Sequence, residues 1–134
     1  MSAETFLLRF VDGEPADLDV ERFRREVEPY VVAGAPELGE VLLRAADGGT
    51  AELFVRGGGA DGPTSLTAMH LSRGAVLDVL ARLADALGAV VLPVGGAALL
   101  FHEDQRNHLP ELLREAALVV PPTGAAVSEA IARS

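Results

Sequence analysis

The sequence predicts an α+β domain, because strand-like and helix-like patterns alternate along the chain and turn residues separate many of them. The order strand, helix, strand, strand occurs twice. We therefore expect a largely antiparallel sheet of about six strands, with two main helices and a short third helix packed on it. A ferredoxin-like variant or a duplicated β-α-β-β unit is the architecture that this order favours.

The first strand and the first helix are marked by apolar periodicity. Thr5–Val11 is apolar and partly alternating, and a turn sequence follows it, which is typical of a strand. Apolar residues then recur on one helical face, at Val20, Phe23 and Val27. Asp17 or Asp19 can cap this helix at its start, and Pro29 ends it.

A hairpin and a further strand are expected next. Glu40–Ala46 and Ala51–Arg56 flank the turn sequence Asp47-Gly48-Gly49, which predicts two antiparallel strands. Thr64–His70 predicts another strand, since its residues alternate between two faces.

The clearest helix of the sequence runs from Gly74 to Leu87, and Ser72 is placed to cap it. Its broad apolar stripe predicts a mostly buried helix, and Gly88 is suited to end it. The stripe consists of Val76, Val79, Leu80, Leu83 and Leu87.

Two apolar runs, Ala89–Pro93 and Ala97–Phe101, lack alternation, which predicts strands covered on both faces. A short third helix is expected over Glu111–Ala117, after Pro110. We expect its inward-facing residues to be Leu109, Leu112, Leu113 and Ala116. Leu118–Val120 is a candidate for a last strand.

The length of 134 residues fits one domain. We assign the α+β domain to residues 1–120 and a C-terminal tail to residues 121–134, leaving open whether this tail is helical or disordered. The chain has no cysteine and no signal-peptide pattern at its start, so we expect a cytoplasmic protein. The longest uncharged run, Ala86–Phe101, is too short to span a membrane.

The charge distribution is the best clue to a partner. The net charge is −9, and residues 1–62 hold thirteen acidic residues against six arginines. We expect this half to dock on a basic protein surface, with Tyr30 as an interface anchor. The acidic candidates are Asp17, Asp19, Glu21 and Glu28. The alternative is that the acids only keep an apolar domain soluble. The acid excess also argues against nucleic-acid binding.

The sequence contains no complete motif for nucleotide binding or nucleophilic catalysis. Gly57, Gly59 and Gly62 match G-x-G-x-x-G, but Pro63 and a predicted strand follow where the dinucleotide motif needs a helix. A mobile loop is the simpler interpretation. The chain has no lysine, which excludes the P-loop and Ser-x-x-Lys motifs. We therefore expect no cofactor and no catalytic nucleophile.

The histidines give one alternative site. His70 and His102 each follow a predicted strand, so parallel neighbouring strands would bring both to one edge of the sheet, near Glu103 and His108. Such a set suits a metal or acid-base site. Since His102 and His108 are six residues apart, a helix would not place them on one face, and a solvated turn is the competing interpretation.

Three functional hypotheses follow. The first is a non-enzymatic, acidic protein-binding domain with a basic partner; in class and composition the chain is similar to bacterial immunity and antitoxin-type inhibitors, although no motif carries that similarity. The second is a small-molecule-binding or metal-dependent enzyme that uses the histidines, loosely similar to the vicinal-oxygen-chelate arrangement. The third is a structural subunit of a homo-oligomer, with an apolar sheet face as its interface.

Overall fold

The computed structural model describes residues 4–57, 63–71 and 74–132. These residues form the α+β fold that the sequence predicts, around one mixed sheet. The strands are β1 Thr5–Val11, β2 Glu14–Ala16, β3 Val31–Ala35, β4 Glu40–Arg44, β5 Thr50–Arg56, β6 Ser65–Met69, β7 Val90–Pro93, β8 Leu99–Leu100 and β9 Leu118–Val119. The α-helices are α1 Val20–Val27, α2 Ala75–Ala86, α3 Glu111–Arg114 and α4 Gly124–Ala132, and 3-10 helices cover Glu28–Tyr30, Pro36–Leu38 and Glu103–His108.

The sheet has nine strands rather than about six. Its order is β3-β4-β5-β6-β1-β7-β8-β9, and β2 pairs with the end of β1. All neighbours are antiparallel except β8 and β9, which are parallel. Two of the additional strands, β2 and β3, contain Pro15 and Gly34. Proline and glycine weaken a strand pattern in sequence: proline is confined to edge strands, and glycine marks irregular ones, as in the edge strand β3, whose register shifts between Val31 and Ala33.

The main core lies between one face of the sheet and the helices α1, α2 and α4. Phe23 of α1 is fully buried in it, and α2 contributes the apolar stripe that the sequence predicts. Alternate residues of the strands point into this core, as the period of two requires. They include Leu7, Val41, Leu43, Ala51, Leu53, Leu66, Ala68, Val91 and Leu99.

A second, smaller core lies on the opposite face, under the chain segment 101–117. Val90 and Leu100 belong to it, whereas their neighbours Val91 and Leu99 belong to the main core. The strands β7 and β8 are therefore covered on both faces, which confirms the prediction made from their lack of alternation.

The third helix is shorter than predicted, since α3 ends at Arg114. Leu109 is fully buried, but Leu112 is 95% exposed and Ala116 is exposed. The expectation that Leu112 and Ala116 face inward is therefore wrong. One helical turn does not present a continuous apolar face, and the backbone leaves the helix before Ala116.

A carboxylate from a distant turn, Asp47, caps the start of α2. Its Oδ2 accepts the N–H of Ala75 at 3.0 Å, and its Oδ1 accepts the N–H of Gly49 at 2.9 Å. These hydrogen bonds, above all the one from Ala75, lower the pKa of Asp47 below its usual range. Ser72, the predicted cap, lies outside the described residues, as do Gly59 and Gly62 of the glycine motif.

Helix α4 packs against α2 at the end of the chain. Thr123 caps it, because the Thr123 Oγ1 accepts the N–H of Ala126 at 3.2 Å. The N–H of Gly124 donates to Asp78 Oδ1 of α2 at 2.5 Å. Val127 and Ala130 are buried in the main core. The sequence did not decide whether the tail is helical or disordered. Residues 124–132 of it form a helix packed on the main core.

Candidate functional site

The strand directions separate His70 from His102. β6, β1, β7 and β8 alternate in direction across the sheet, so β6 and β8 run antiparallel to each other. His70 follows β6 at the end of the sheet where β1 begins, since Ala68 pairs with Thr5. His102 follows β8 at the end where β1 finishes. The structure therefore does not bring these two histidines together.

His70 lies beside a carboxylate on the neighbouring strand. Its Nδ1 is 2.8 Å from Glu52 Oε2, and Glu52 is on β5 directly opposite Met69. The backbone of His70 has a φ of +51°, which few non-glycine residues adopt. This exposed pair is remote from the other two histidines.

His102 and His108 line one cavity of about 480 Å³. Its size is within the range of small-molecule sites, roughly 300–1,000 Å³. The end of β1, the start of β7 and the 3-10 segment 103–108 border it, and it is open to solvent on one side. The wall is partly apolar, from Phe10, Val11 and Val90, and partly polar. The polar lining residues are Arg9, His102, Asp104, Gln105 and His108.

The imidazole of His102 is held by an acid from α2. Its Nε2 is 2.7 Å from Asp85 Oδ1. An ionised carboxylate only accepts hydrogen bonds, so Nε2 carries a proton in the neutral ring, and the His102 side chain accepts the backbone N–H of Gln105 with its other nitrogen. Gln105 fixes the backbone of this segment, because its Oε1 accepts the N–H groups of Phe101 and His102 at 2.9 and 3.0 Å.

The imidazole of His108 has a different arrangement. Its Nδ1 accepts the backbone N–H of Asp12 at 3.2 Å. An N–H group can only donate, so in the neutral ring the proton is on Nε2, which is a donor. The carboxylate of Asp12 is 3.6 Å from the same nitrogen, too far for a hydrogen bond. His108 therefore offers a donor to the cavity, whereas the ring of His102 is held on both sides by Asp85 and Gln105.

Glu103, the acid of the predicted histidine set, has a structural partner. Its carboxylate accepts from Arg106 Nε at 2.7 Å, and this hydrogen bond lowers the pKa of Glu103. Arg106 Nη1 also donates to the carbonyl oxygens of Arg114 and Ala117, at 2.5 and 2.9 Å. Glu103 thus helps to fold segment 103–117 and does not line the cavity.

The acids of α1 are partly paired with the arginines of the same helix. Glu26 lies 3.3 Å from Arg22, and Glu21 lies 3.9 Å from Arg24. Arg24 also pairs with Glu37, and the hydrogen bond between them lowers the pKa of that carboxyl. Asp19 is the helix cap, since its Oδ1 accepts the N–H of Arg22 at 3.1 Å.

Three of the predicted partner-binding residues are accessible on this surface, two of them fully and one in part. Asp17 and Glu28 are exposed, and within the described ranges neither side chain has an ion-pair partner. Tyr30 is half-buried against the main core, and its hydroxyl accepts weakly from Arg82 Nη2 at 3.5 Å. The ring of Tyr30 is therefore held against the main core, while part of the side chain stays exposed to solvent.

Sequence reasoning missed three residues at the cavity: Arg9, Asp85 and Gln105. None of the three carries a functional signal in the sequence. Arg9 is an arginine in a strand, Asp85 is an acid on the solvent-exposed face of a helix, and Gln105 is a polar residue in a turn. Only the pairing of β1 with β7 and the return of the chain after β8 bring them to one place. The single local signal was the cluster around His102.

Comparisons with known proteins identify no relative: no family model, no curated protein and no solved structure matches the chain. Over the described ranges, no helix is long and apolar enough to cross a bilayer. No group of three or more histidine, aspartate or glutamate side chains in the same residues has the geometry of a metal site.

Proposed function

We propose that the chain is a non-enzymatic, acidic protein-binding domain, a cytoplasmic inhibitor or adaptor of the bacterial immunity or antitoxin type, which docks on a partner with a basic surface. The observation that carries this proposal is the net charge of −9, most of it in residues 1–62. A field of one sign steers an oppositely charged partner and raises its association rate.

The surface around α1 supports the proposal, although its own arginines reduce its charge. Glu28 and Asp17 are exposed carboxylates without ion-pair partners among the described residues, and Glu21 makes only a 3.9 Å contact. Tyr30 adds an aromatic ring beside them, of the kind that is enriched in interface hot spots. This surface, formed by Asp17, Asp19, Glu21, Glu28 and Tyr30, is the α1 surface.

The test is a charge reversal of the α1 surface. Tagged chain captures partners from a lysate of the source cell at about 0.05 and about 0.5 M salt, a range over which screening weakens steered contacts. Binding rates of the captured basic protein are then measured. We expect Glu21→Lys combined with Glu28→Lys to slow association by about tenfold or more at low salt.

The matched control is Glu111→Lys combined with Glu115→Lys, which changes the net charge equally at exposed positions of the other half. Circular dichroism checks that both variants fold. If both double variants slow association equally, the net charge of the whole molecule controls the association rate, and the α1 surface is not the interface. A partner bound as fast at 0.5 M salt as at 0.05 M contradicts electrostatic docking.

A second candidate function, a structural subunit of a homo-oligomer, is favoured by the face of the sheet opposite the main core. Phe6, Leu8, Leu42 and Phe54 are half-buried there and belong to neither core. Phe54 lies beside Thr67, which lies beside Phe6, so these side chains form a row across β5, β6 and β1. We call it the open sheet face. Its occupant in this candidate is a second copy of the chain.

For the architecture, we infer a duplicated β-α-β-β unit or a ferredoxin-like variant. In support, α1 and α2 each follow a strand of the sheet and both cover the same face. The strands β2, β3 and β9 are additions to that scheme.

A further inference from the structure

The cavity lined by His102 and His108 contains one positive and one negative side chain that do not neutralise each other. Within the described ranges neither Arg9 nor Asp104 forms an ion pair. Other arginines of the chain behave differently, since Arg22, Arg24 and Arg106 each contact a glutamate. Two opposite charges are thus left available in one small space.

Arg9 lines the cavity and is held by the backbone beside it. Its Nη1 donates to the carbonyl oxygen of Asp17 at 3.3 Å, which leaves other guanidinium N–H groups available. A Cβ atom at Gly88 would lie 3.9 Å from both Cδ and Nε of Arg9, so the arginine stem runs across this glycine. The half-buried position restricts the side chain and reduces the entropy lost on binding.

The two histidines are oriented by the protein, and His108 keeps one ring nitrogen without a protein partner among the described residues. In His108 this is the donor Nε2–H of the neutral ring, whereas the His102 side chain already contacts Asp85 and accepts the backbone N–H of Gln105. The cavity therefore combines a cation, an anion, one imidazole donor and an apolar wall. A simple anion would use only the charge of Arg9, and a simple cation would use only that of Asp104, whereas a ligand with both charges uses both.

We propose that this cavity binds a small zwitterion, namely a free α-amino acid with an apolar side chain. Arg9 and His108 bind its carboxylate, Asp104 binds its ammonium group, and Phe10, Val11 and Val90 contact its side chain. The site lies at the end of the sheet where β1 finishes, and it is independent of the protein-binding function proposed above.

The test is a titration of the full chain with L-leucine, followed by amide NMR shifts. Two compounds are matched controls: 4-methylpentanoate lacks the ammonium group, and 3-methylbutylamine lacks the carboxylate. We expect saturable shifts confined to the cavity segments, and binding at least about tenfold weaker for each control, because hydrogen bonds between charged groups are the strong ones.

Variants separate the site from nonspecific binding. Arg9→Gln and Asp104→Asn are each expected to weaken L-leucine binding by about tenfold or more. Arg56→Gln, an exposed arginine on the open sheet face, is expected to leave it unchanged. The amide spectrum of each variant, recorded without ligand, shows whether that variant folds. The proposal is overturned if no saturable shift occurs up to about 20 mM, if either control compound binds as well, or if both cavity variants bind normally.

Discussion

At the scale of single residues, Asp47 shows how one side chain connects distant parts of the chain. It lies in the turn between β4 and β5, where its Oδ1 accepts from Gly49 within that turn. Its Oδ2 caps α2, twenty-eight residues later in the sequence. A short hairpin turn therefore also fixes the position of the most buried helix, a role that the Asp-Gly-Gly pattern alone does not predict.

The lowered pKa of Asp47 gives a prediction about acid stability. Because the folded state binds this proton more weakly than the unfolded state, the ionised carboxylate stabilises the fold above about pH 4, and this stabilisation is lost as the pH falls further. We expect Asp47→Asn to lower Tm at pH 7. The difference in Tm between the variant and the natural chain is expected to narrow toward pH 3.

The control is Glu115→Gln, at an exposed carboxyl for which no hydrogen bond is found in the described residues. It is expected to change Tm little at either pH. A difference for Asp47→Asn that stays constant from pH 7 to pH 3 would contradict a role for the ionised cap.

At the scale of secondary-structure elements, periodicity predicted most of the fold. β1 and α1 follow from the apolar spacing of their residues, and the β4–β5 hairpin follows from its turn sequence. The sequence did not reveal β2 or β3, because short edge strands that contain Pro15 or Gly34 lack an alternating pattern.

The candidate site was less predictable than the fold, for a physical reason. Residue type alone makes His102 and His108 candidate site residues. Arg9 joins them only through the pairing of β1 with β7. His70 was grouped with His102 on the assumption of parallel strands, and strand direction depends on contacts between residues distant in sequence. Local patterns do not encode such contacts.

The contact between α2 and α4 gives a prediction at this scale. A Cβ atom at Gly124 would lie 2.6 Å from the backbone nitrogen of Asp78, closer than atoms pack. Gly124→Ala must therefore push α4 away from α2. We expect it to lower the free energy of unfolding by about 1–3 kcal/mol in urea titrations.

Ala125→Ser, at an exposed position of the same helical turn, is the control and is expected to change stability by less than about 0.5 kcal/mol. Alanine forms helices better than glycine by roughly 1 kcal/mol. If Gly124→Ala were as stable as the natural chain or more stable, α4 would not be packed tightly on α2.

At the scale of the whole molecule, two features act in opposite directions. The net charge of −9 makes copies of the chain repel each other. The open sheet face, which carries Phe6, Leu8, Leu42 and Phe54, favours association because half-exposed apolar area is removed from water. Salt screens the repulsion and leaves the apolar contribution, so the balance depends on ionic strength.

The two candidate functions therefore predict opposite responses to salt. Docking of a basic partner weakens as salt rises, whereas self-association through the open sheet face strengthens. If the face binds a second copy, the molar mass measured by light scattering is expected to rise from 14.0 kDa toward twice that value between about 0.05 and about 0.5 M salt.

Two identical substitutions locate the contact. Leu42→Ser removes an apolar side chain from the open sheet face, and Leu112→Ser removes one that is 95% exposed elsewhere on the surface. We expect only Leu42→Ser to abolish the salt-induced rise in mass. Equal loss in both variants would place the contact outside the open sheet face. A mass of 14.0 kDa at every salt concentration would reject the homo-oligomer. The α1 surface would then be left as the candidate interface, and salt-weakened binding of its basic partner would be the decisive measurement.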